Sequence, residues 1–303
     1  MGELLHVGDE VATALQEGAA VVALETTLVA HGFPAGEGTA VGLASEGAVR
    51  SAGAIPATVG VLDGTIRVGL EAGELDRFTS TARKLGPRDV AGCAVQGAVG
   101  ATTVGGTLVV AAALGIRFLG TGGIGGVHRG FPNPPDVSAD LAAIARTPVL
   151  VACSGVKSLL DVPATTEALE TLGVPVIGFR TDTLPLFYSA SGGPPVPARV
   201  DDPDEAARIA AAHWRLGGQG LVVAHPPAES LEVEALIARA IEEARRRGVS
   251  GPGMTPFVLG YLHDHSEGAT LRVNRELIVA NARLAAQIAV AFGHLSPRKE
   301  RVE

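Results

Sequence analysis

The chain has 303 residues, 47% hydrophobic and 18% charged, with a net charge of −8. That apolar content supports a sizeable core, and the acidic balance argues against a broad nucleic-acid face while leaving room for a local basic pocket. Two cysteines are too few for a disulfide framework, no long apolar leader opens the chain and no 18-residue uncharged apolar run marks a membrane span, so a cytoplasmic protein with no membrane partner is expected.

Helical and strand patterns alternate. Residues 8–17 predict a helix, 19–24 a first strand buried on both faces and ending at Glu25, 37–52 a helix, and 56–69 a hairpin turning at Asp63-Gly64. Strand-like runs follow at 90–95, 116–120, 148–153, 174–179 and 219–224, with Cys93 and Cys153 as buried thiols inside two of them. Helical patterns lie at 103–114, 137–146, 157–173 and 203–216, then at 230–248, about 255–265 and 270–293. This spacing predicts βα units, hence an α/β fold with a largely parallel central sheet and helices on its faces. The run Ser191-Gly-Gly-Pro-Pro-Val-Pro197 is the best candidate for a long functional loop, and residues 296–303 read as a frayed charged tail.

Several segments carry chemistry-bearing residues. In Leu119-Gly-Thr-Gly-Gly-Ile-Gly-Gly-Val-His-Arg-Gly130, Gly120, Gly122 and Gly125 formally match a dinucleotide fingerprint. The prolines of Phe131-Pro-Asn-Pro-Pro135 forbid the helix which that fingerprint needs, so the reading is rejected. The run is either a phosphate cradle with His128 and Arg129 beside it or a tight strand-exit loop. In Asp136-Val-Ser-Ala-Asp140, Asp136 or Ser138 caps the next helix. Asp136 and Asp140, four apart, share a face that either holds a hard divalent cation or is a solvated acidic turn. Glu25, at the carboxyl end of a buried strand, is either a general acid or a capping side chain. Thr102 and Thr103 precede a helix where an anion can be met, and Asn274 and Asn281 lie seven apart on nearly one face of the last helix.

Lysine is nearly absent. Lys84, Lys157 and Lys299 are the only three among 24 Lys+Arg, leaving 24 − 3 = 21 arginines. Lys84 precedes the run at 90–95, and Lys157 opens the pattern at 157–173. An ammonium can lose its proton and attack a carbonyl carbon, whereas a guanidinium cannot. Either of these two lysines is therefore a candidate for Schiff-base chemistry, and codon bias is the plain alternative.

Together these segments resemble the pseudouridine-5′-phosphate glycosidase family, also called indigoidine synthase A-like proteins. The matching stretches include Ala-Leu-Glu-Thr-Thr-Leu, Lys-Leu-Gly-Pro-Arg-Asp, Gly-Ala-Thr-Thr-Val, the 119–130 glycine run, Asp-Val-Ser-Ala-Asp-Leu, Ser-Gly-Val-Lys-Ser-Leu-Leu-Asp and Asn-Ala-Arg-Leu-Ala-Ala-Gln-Ile-Ala, in family order over roughly residues 5–293. The resemblance implies a single α/β/α layered domain over 1–295, assembled as a homotrimer. The implied reaction is reversible cleavage of the carbon–carbon glycosidic bond of pseudouridine 5′-phosphate, a phosphorylated C-nucleoside, to uracil and ribose 5-phosphate. It implies Lys157 as the imine-forming nucleophile and Glu25 as proton donor. It places Lys84, the Val104 backbone, Thr121, Ser138, Ala139, Asp140 and Asn281 against the substrate, and makes Asp136 the ligand of Mn²⁺ or another divalent cation. Two departures stand out: Ala280 where the family often has the first of two asparagines, and His225 where it has a polar amide. The rival readings are another Schiff-base sugar-phosphate aldolase and a non-catalytic phosphosugar-binding accessory protein.

Overall fold

The computed structural model describes residues 4–34, 36–71, 73–132, 135–249 and 251–295, so the expected frayed tail at 296–303 lies outside the described residues. The strands are β1 (Leu5–Val7), β2 (Val21–Glu25), β3 (Ile55–Leu62), β4 (Thr65–Val68), β5 (Arg83–Leu85), β6 (Gly100–Thr102), β7 (Phe118–Gly120), β8 (Val127–His128), β9 (Leu150–Cys153), β10 (Leu160–Asp161), β11 (Val176–Phe179), β12 (Ala198–Val200) and β13 (Leu221–Ala224). The helices are α1 (Asp9–Glu17), α2 (Thr27–His31), α3 (Glu37–Ser51), α4 (Val90–Val95), α5 (Val104–Ala113), α6 (Ala139–Arg146), α7 (Val162–Thr171), α8 (Pro203–Arg215), α9 (Glu234–Arg246), α10 (Met254–Asp264) and α11 (Ala269–Leu295).

One large sheet runs β1-β4-β3-β2-β7-β9-β13-β11-β12, with β6 and then β5 branching from β3; β8 and β10 form a separate pair. Every pairing in the large sheet is parallel except β3 with β4 and β3 with β6. The β3–β4 hairpin turns at Asp63 (φ 49°) and Gly64 (φ 84°), the two positive φ values that a two-residue type I′ turn requires. Side chains alternate across the sheet: Val22, Leu24, Leu150, Ala152, Leu221 and Val223 enter a core shared with α3, α8 and α11. Their neighbours Val21, Ala23, Val151, Cys153, Val222 and Ala224 enter a second core shared with α5, α6 and α9. Helices therefore cover both faces, as the alternation predicts, and the strands are apolar throughout because neither face meets water.

The helix α11 is long and apolar enough to span a membrane by length and composition, but it lies against the sheet. Its buried Leu277, Ile278, Leu284 and Ile288 each contribute roughly 1.5–3 kcal/mol of transfer free energy.

Four expectations need correction. Residues 90–95 form α4, not a strand: Val90, Cys93 and Ala94 are buried at i, i+3 and i+4 while Val95 is exposed, and a short apolar run does not distinguish the two periods. Residues 157–161 are not helical. The helix α7 starts at Val162, capped by Asp161, whose Oδ1 accepts from the Ala164 N–H at 3.0 Å, and carries Pro163 in its first turn. Glu25 ends the second strand, because the edge strand β1 comes first. Lys84 sits on its own strand, β5, rather than ahead of one at 90–95.

The topology decides where a ligand fits. From β2 the chain winds one way to β3 and the other way to β7, so the winding reverses between β2 and β7. A crevice outside the carboxyl ends of the strands at such a reversal is the general ligand site of open α/β sheets. Glu25 ends β2, and Thr121 directly follows β7.

Candidate active site

Two chambers open along this edge. An inner one of about 50 Å³ is lined by Glu25, Thr121 and apolar side chains including Leu28, Phe33, Phe187 and Ile278. An outer one of about 360 Å³ is lined by polar groups including Arg88, His128, Asp136, Ser138 and Asp140. Thr27, Lys84, Lys157 and Thr255 line both and form the waist between them. The two non-tail lysines, 73 positions apart in sequence, thus meet at one constriction.

Glu25 is 4% exposed, and its carboxylate accepts a hydrogen bond from the Thr121 hydroxyl. Burial raises the Glu25 pKa above the usual carboxylate range. The Lys157 ammonium is the strongest opposing influence, ahead of the Thr121 hydroxyl, and Lys84 acts more weakly. Lys84 is pulled below the usual lysine range, first by burial and then by the like charge of Lys157.

The Lys157 backbone is tied down on both sides. Its N–H donates to the Ile124 carbonyl at 3.1 Å, and its carbonyl accepts from the Leu160 N–H at 3.0 Å. Arg129 clamps the following residues, donating to the Ser158 carbonyl at 2.9 Å and the Leu160 carbonyl at 3.3 Å while pairing with Glu234 at 2.6 Å. Arg129 therefore holds the lysine segment against α9 rather than facing the outer chamber, whereas His128 does line it.

Asp140 is the hub of the outer wall. One carboxylate oxygen accepts from the Gly105 N–H at 2.8 Å, at the start of α5, and the other from the Gly125 N–H at 2.9 Å in the glycine run. The anion expected to meet the helix after Thr102 and Thr103 is thus supplied by the protein itself. A Cβ on Gly125 would stand 2.2 Å from the Ser138 hydroxyl, so only glycine lets the run approach this closely. Ser138 is the helix cap, accepting from the Asp140 N–H at 3.2 Å.

Asp136 and Asp140 do not share a helix face, because Asp136 precedes α6. Both line the outer chamber instead. The Asp136 carboxylate lies 3.8 Å from His128 Nδ1, and its carbonyl accepts the His128 N–H at 3.0 Å. Among the described residues no three His, Cys, Asp or Glu side chains cluster as a metal cage. One accessible carboxylate with an imidazole beside it suits a hard divalent ion that keeps most of its water or borrows substrate oxygens, not zinc.

Of the other expected residues, Ala139 lines the outer chamber, while the Val104 side chain is fully buried at the start of α5. Asn281 is also fully buried, behind the inner wall. Its amide N–H donates to the Thr121 carbonyl at 2.8 Å and the Ser154 hydroxyl at 3.1 Å, and its oxygen faces His225 Nδ1 at 3.1 Å. Asn274, two turns earlier on α11, lines the inner chamber. His225 and Ala280 line a separate surface groove with Arg180, Arg275 and Arg283. The Gly192–Pro194 part of the proline-rich loop borders a third cavity outside the cleft. Sequence reasoning missed His31, Phe33, Phe187 and Thr255; ordinary residues in loops and in α2 and α10, they become site residues only through packing.

The family model described as "Indigoidine synthase A like protein" matches residues 10–291. The chain belongs to that family. A protein of Streptomyces griseus called pseudouridine-5′-phosphate glycosidase is 48% identical over 93% of this chain and 90% of its own length. A protein of the same name from Chloroflexus aurantiacus is 45% identical over 96% of this chain and 100% of its own. Among solved structures, the prealnumycin C-glycosynthase in complex with ribulose 5-phosphate superposes with a TM-score of 0.87 at 40% identity, covering 97% of this chain and 98% of that one. An indigoidine synthase A-like protein of Thermotoga maritima gives 0.86 at 34% identity, covering 96% and 97%.

Proposed function

We propose that this member of the family is an enzyme that reversibly splits pseudouridine 5′-phosphate into uracil and ribose 5-phosphate. The observation that carries the reading is the waist: two lysines in a chain almost without lysine, next to a buried carboxyl, between an apolar chamber and a polar one. The names of the relatives agree with it.

The substrate lies through the waist. The flat uncharged base points into the inner chamber, beside Phe33 and Phe187, C1′ stands at Lys157, and the phosphate reaches the outer chamber, where Lys84 and His128 are available. The scissile bond joins two carbons, so protonating a glycosidic heteroatom, as in two-carboxylate hydrolysis, does not apply. Lys157 Nζ attacks C1′, the C1′–O4′ bond breaks, and O4′ takes a proton. The nitrogen lone pair then forms C1′=N as the C1′–C5 bond breaks, and uracil C5 takes a proton. Water adds to the imine, releasing ribose 5-phosphate and the free lysine. Glu25, whose pKa burial raises, is the proton carrier in these steps. Cys153 does not compete as nucleophile, since burial pushes its thiol up to about 12.

The proposal includes a divalent cation, Mn²⁺ or a like ion, at Asp136 with His128 alongside; when bound, it would neutralise phosphate charge. It also includes a cytoplasmic homotrimer, which sedimentation at three chain masses checks. The deciding experiment is borohydride trapping with ribose 5-phosphate and mass mapping. The expected adduct is on the Lys157 peptide, and no adduct overturns the mechanism. The depressed Lys84 amine favours one second reading, in which the label falls on Lys84 and the lysines exchange roles.

A further inference from the structure

Lys157 opens a tight turn. Its carbonyl accepts the Leu160 N–H at 3.0 Å, the hydrogen bond of a β-turn over 157–160. The two common forms of such a turn differ by a flip of its central peptide, here the one joining Ser158 to Leu159. Leu159 does not take the positive φ that the flipped form needs, so the Ser158 carbonyl has one direction. Arg129 meets it there. Its Nη2 donates to the Ser158 carbonyl at 2.9 Å and its Nε to the Leu160 carbonyl at 3.3 Å. Among the described residues no other side chain hydrogen-bonds the backbone of 157–160. Glu234 accepts from both terminal nitrogens of the guanidinium, at 2.6 and 3.1 Å, and so fixes its plane. His128 pairs with Leu160 across β8 and β10 and lines the outer chamber. Its neighbour Arg129 points the other way, as successive residues of extended backbone do, into the wall of a cavity of about 300 Å³ outside the cleft. The guanidinium therefore stands behind the turn and away from both chambers.

We infer that Arg129 is a positioning residue for the Lys157 amine, locking from behind the turn on which that side chain is rooted, with Glu234 orienting the guanidinium. This inference rests on the reading of Lys157 as the nucleophile and adds to it a residue that does not touch the substrate. A lysine side chain is long and flexible, so its amine is placed only as well as its root is held. Misplacing a reacting group by about 1 Å costs on the order of 10²-fold in rate. A lysine at 129 would not replace the clamp, because a point charge lacks the planar fork that meets two carbonyls and a carboxylate at once. The Glu234 side chain is 69% exposed, so its ion pair adds little stability and serves mainly to set direction.

The test compares the parent with Arg129→Met, Arg129→Lys and Glu234→Gln. It reads steady-state cleavage of pseudouridine 5′-phosphate, and both the rate and the final extent of borohydride labelling of Lys157 with ribose 5-phosphate. Arg129→Met is expected to lower kcat and the labelling rate together by about 10–100-fold, with KM within about threefold of the parent. The final extent of labelling stays that of the parent, which separates a misplaced amine from a loss of folded enzyme. Arg129→Lys is expected to lose about 5–20-fold in both rates, and Glu234→Gln less than about fivefold. Both rates within about twofold of the parent in Arg129→Met, a change in KM alone, a loss in cleavage without one in labelling rate, or a final extent that falls in step with kcat overturns the inference and leaves the reaction standing. Where Arg129→Met does not fold, Arg129→Lys decides by the same readings. A parent that is not labelled on Lys157 overturns the reading on which the inference rests.

Discussion

The two chambers are built from opposite materials. The inner one is walled by apolar side chains around one carboxyl, and its few polar groups acquire unusual properties by losing water: Glu25 is pushed toward its protonated form. The outer one is held by hydrogen bonds, with Asp140 joining the start of α5 to the glycine run and Ser138 capping α6. Low dielectric creates reactivity in the first, whereas satisfied donors and acceptors create shape in the second. The lysines stand at the boundary, where one neighbour is a buried acid and the other a wet phosphate-sized space.

The largest effect expected at that boundary comes from Lys157→Arg. The charge stays and the nucleophile goes, so turnover should fall by at least about 1,000-fold with an unchanged circular dichroism spectrum. Substantial residual turnover would remove the imine role. Next is Glu25→Gln, expected to cost about 10²–10⁴-fold in kcat. If Glu25 donates protons, activity of the parent falls on the alkaline side as the raised carboxyl ionises, and Gln abolishes that limb. The stability sign runs the same way. The folded state keeps the Glu25 proton above the ordinary value of 4.5 while the unfolded chain releases it, so stability declines as pH rises from there through the raised value. The Gln variant should therefore melt no lower than the parent at neutral pH; a clearly lower melting temperature would show that Glu25 is structural.

In the outer chamber the expected loss is of structure. Asp140→Asn replaces one of two acceptors by a donor facing an N–H group, costing about 1–3 kcal/mol and lowering Tm by several degrees. An unchanged Tm would break the contrast between a reactive and a structural chamber. The smallest effect belongs outside the cleft. Ala280→Asn, in the surface groove, should leave kcat/KM within about twofold, and a larger change would tie that groove to the site.

Much of this was legible before the structure. Glu25 and Lys157 stand out as candidates through a carboxylate ending an apolar run and through lysine scarcity, both read from the sequence alone. Errors arose where local pattern is degenerate. The apolar run at 90–95 fits either period, and only contact on the Val90–Cys93–Ala94 side made it a helix. Asp136 and Asp140 fit a shared helix face, but Ser138 capped between them and turned Asp140 inward. Asn281 and Asn274 are equivalent in spacing, yet one closes a buried network while the other faces a chamber.

By itself the sequence determined the βα alternation, the layered sheet, the family, and the residue types able to do amine and acid chemistry, because periodicity and side-chain reactivity are properties of short segments. Only the tertiary structure decided that winding reverses between β2 and β7, that Lys84 and Lys157 line one waist, and which asparagine faces the inner chamber. Those outcomes depend on which distant segments exclude water from one another, and burial is set by the whole packed chain.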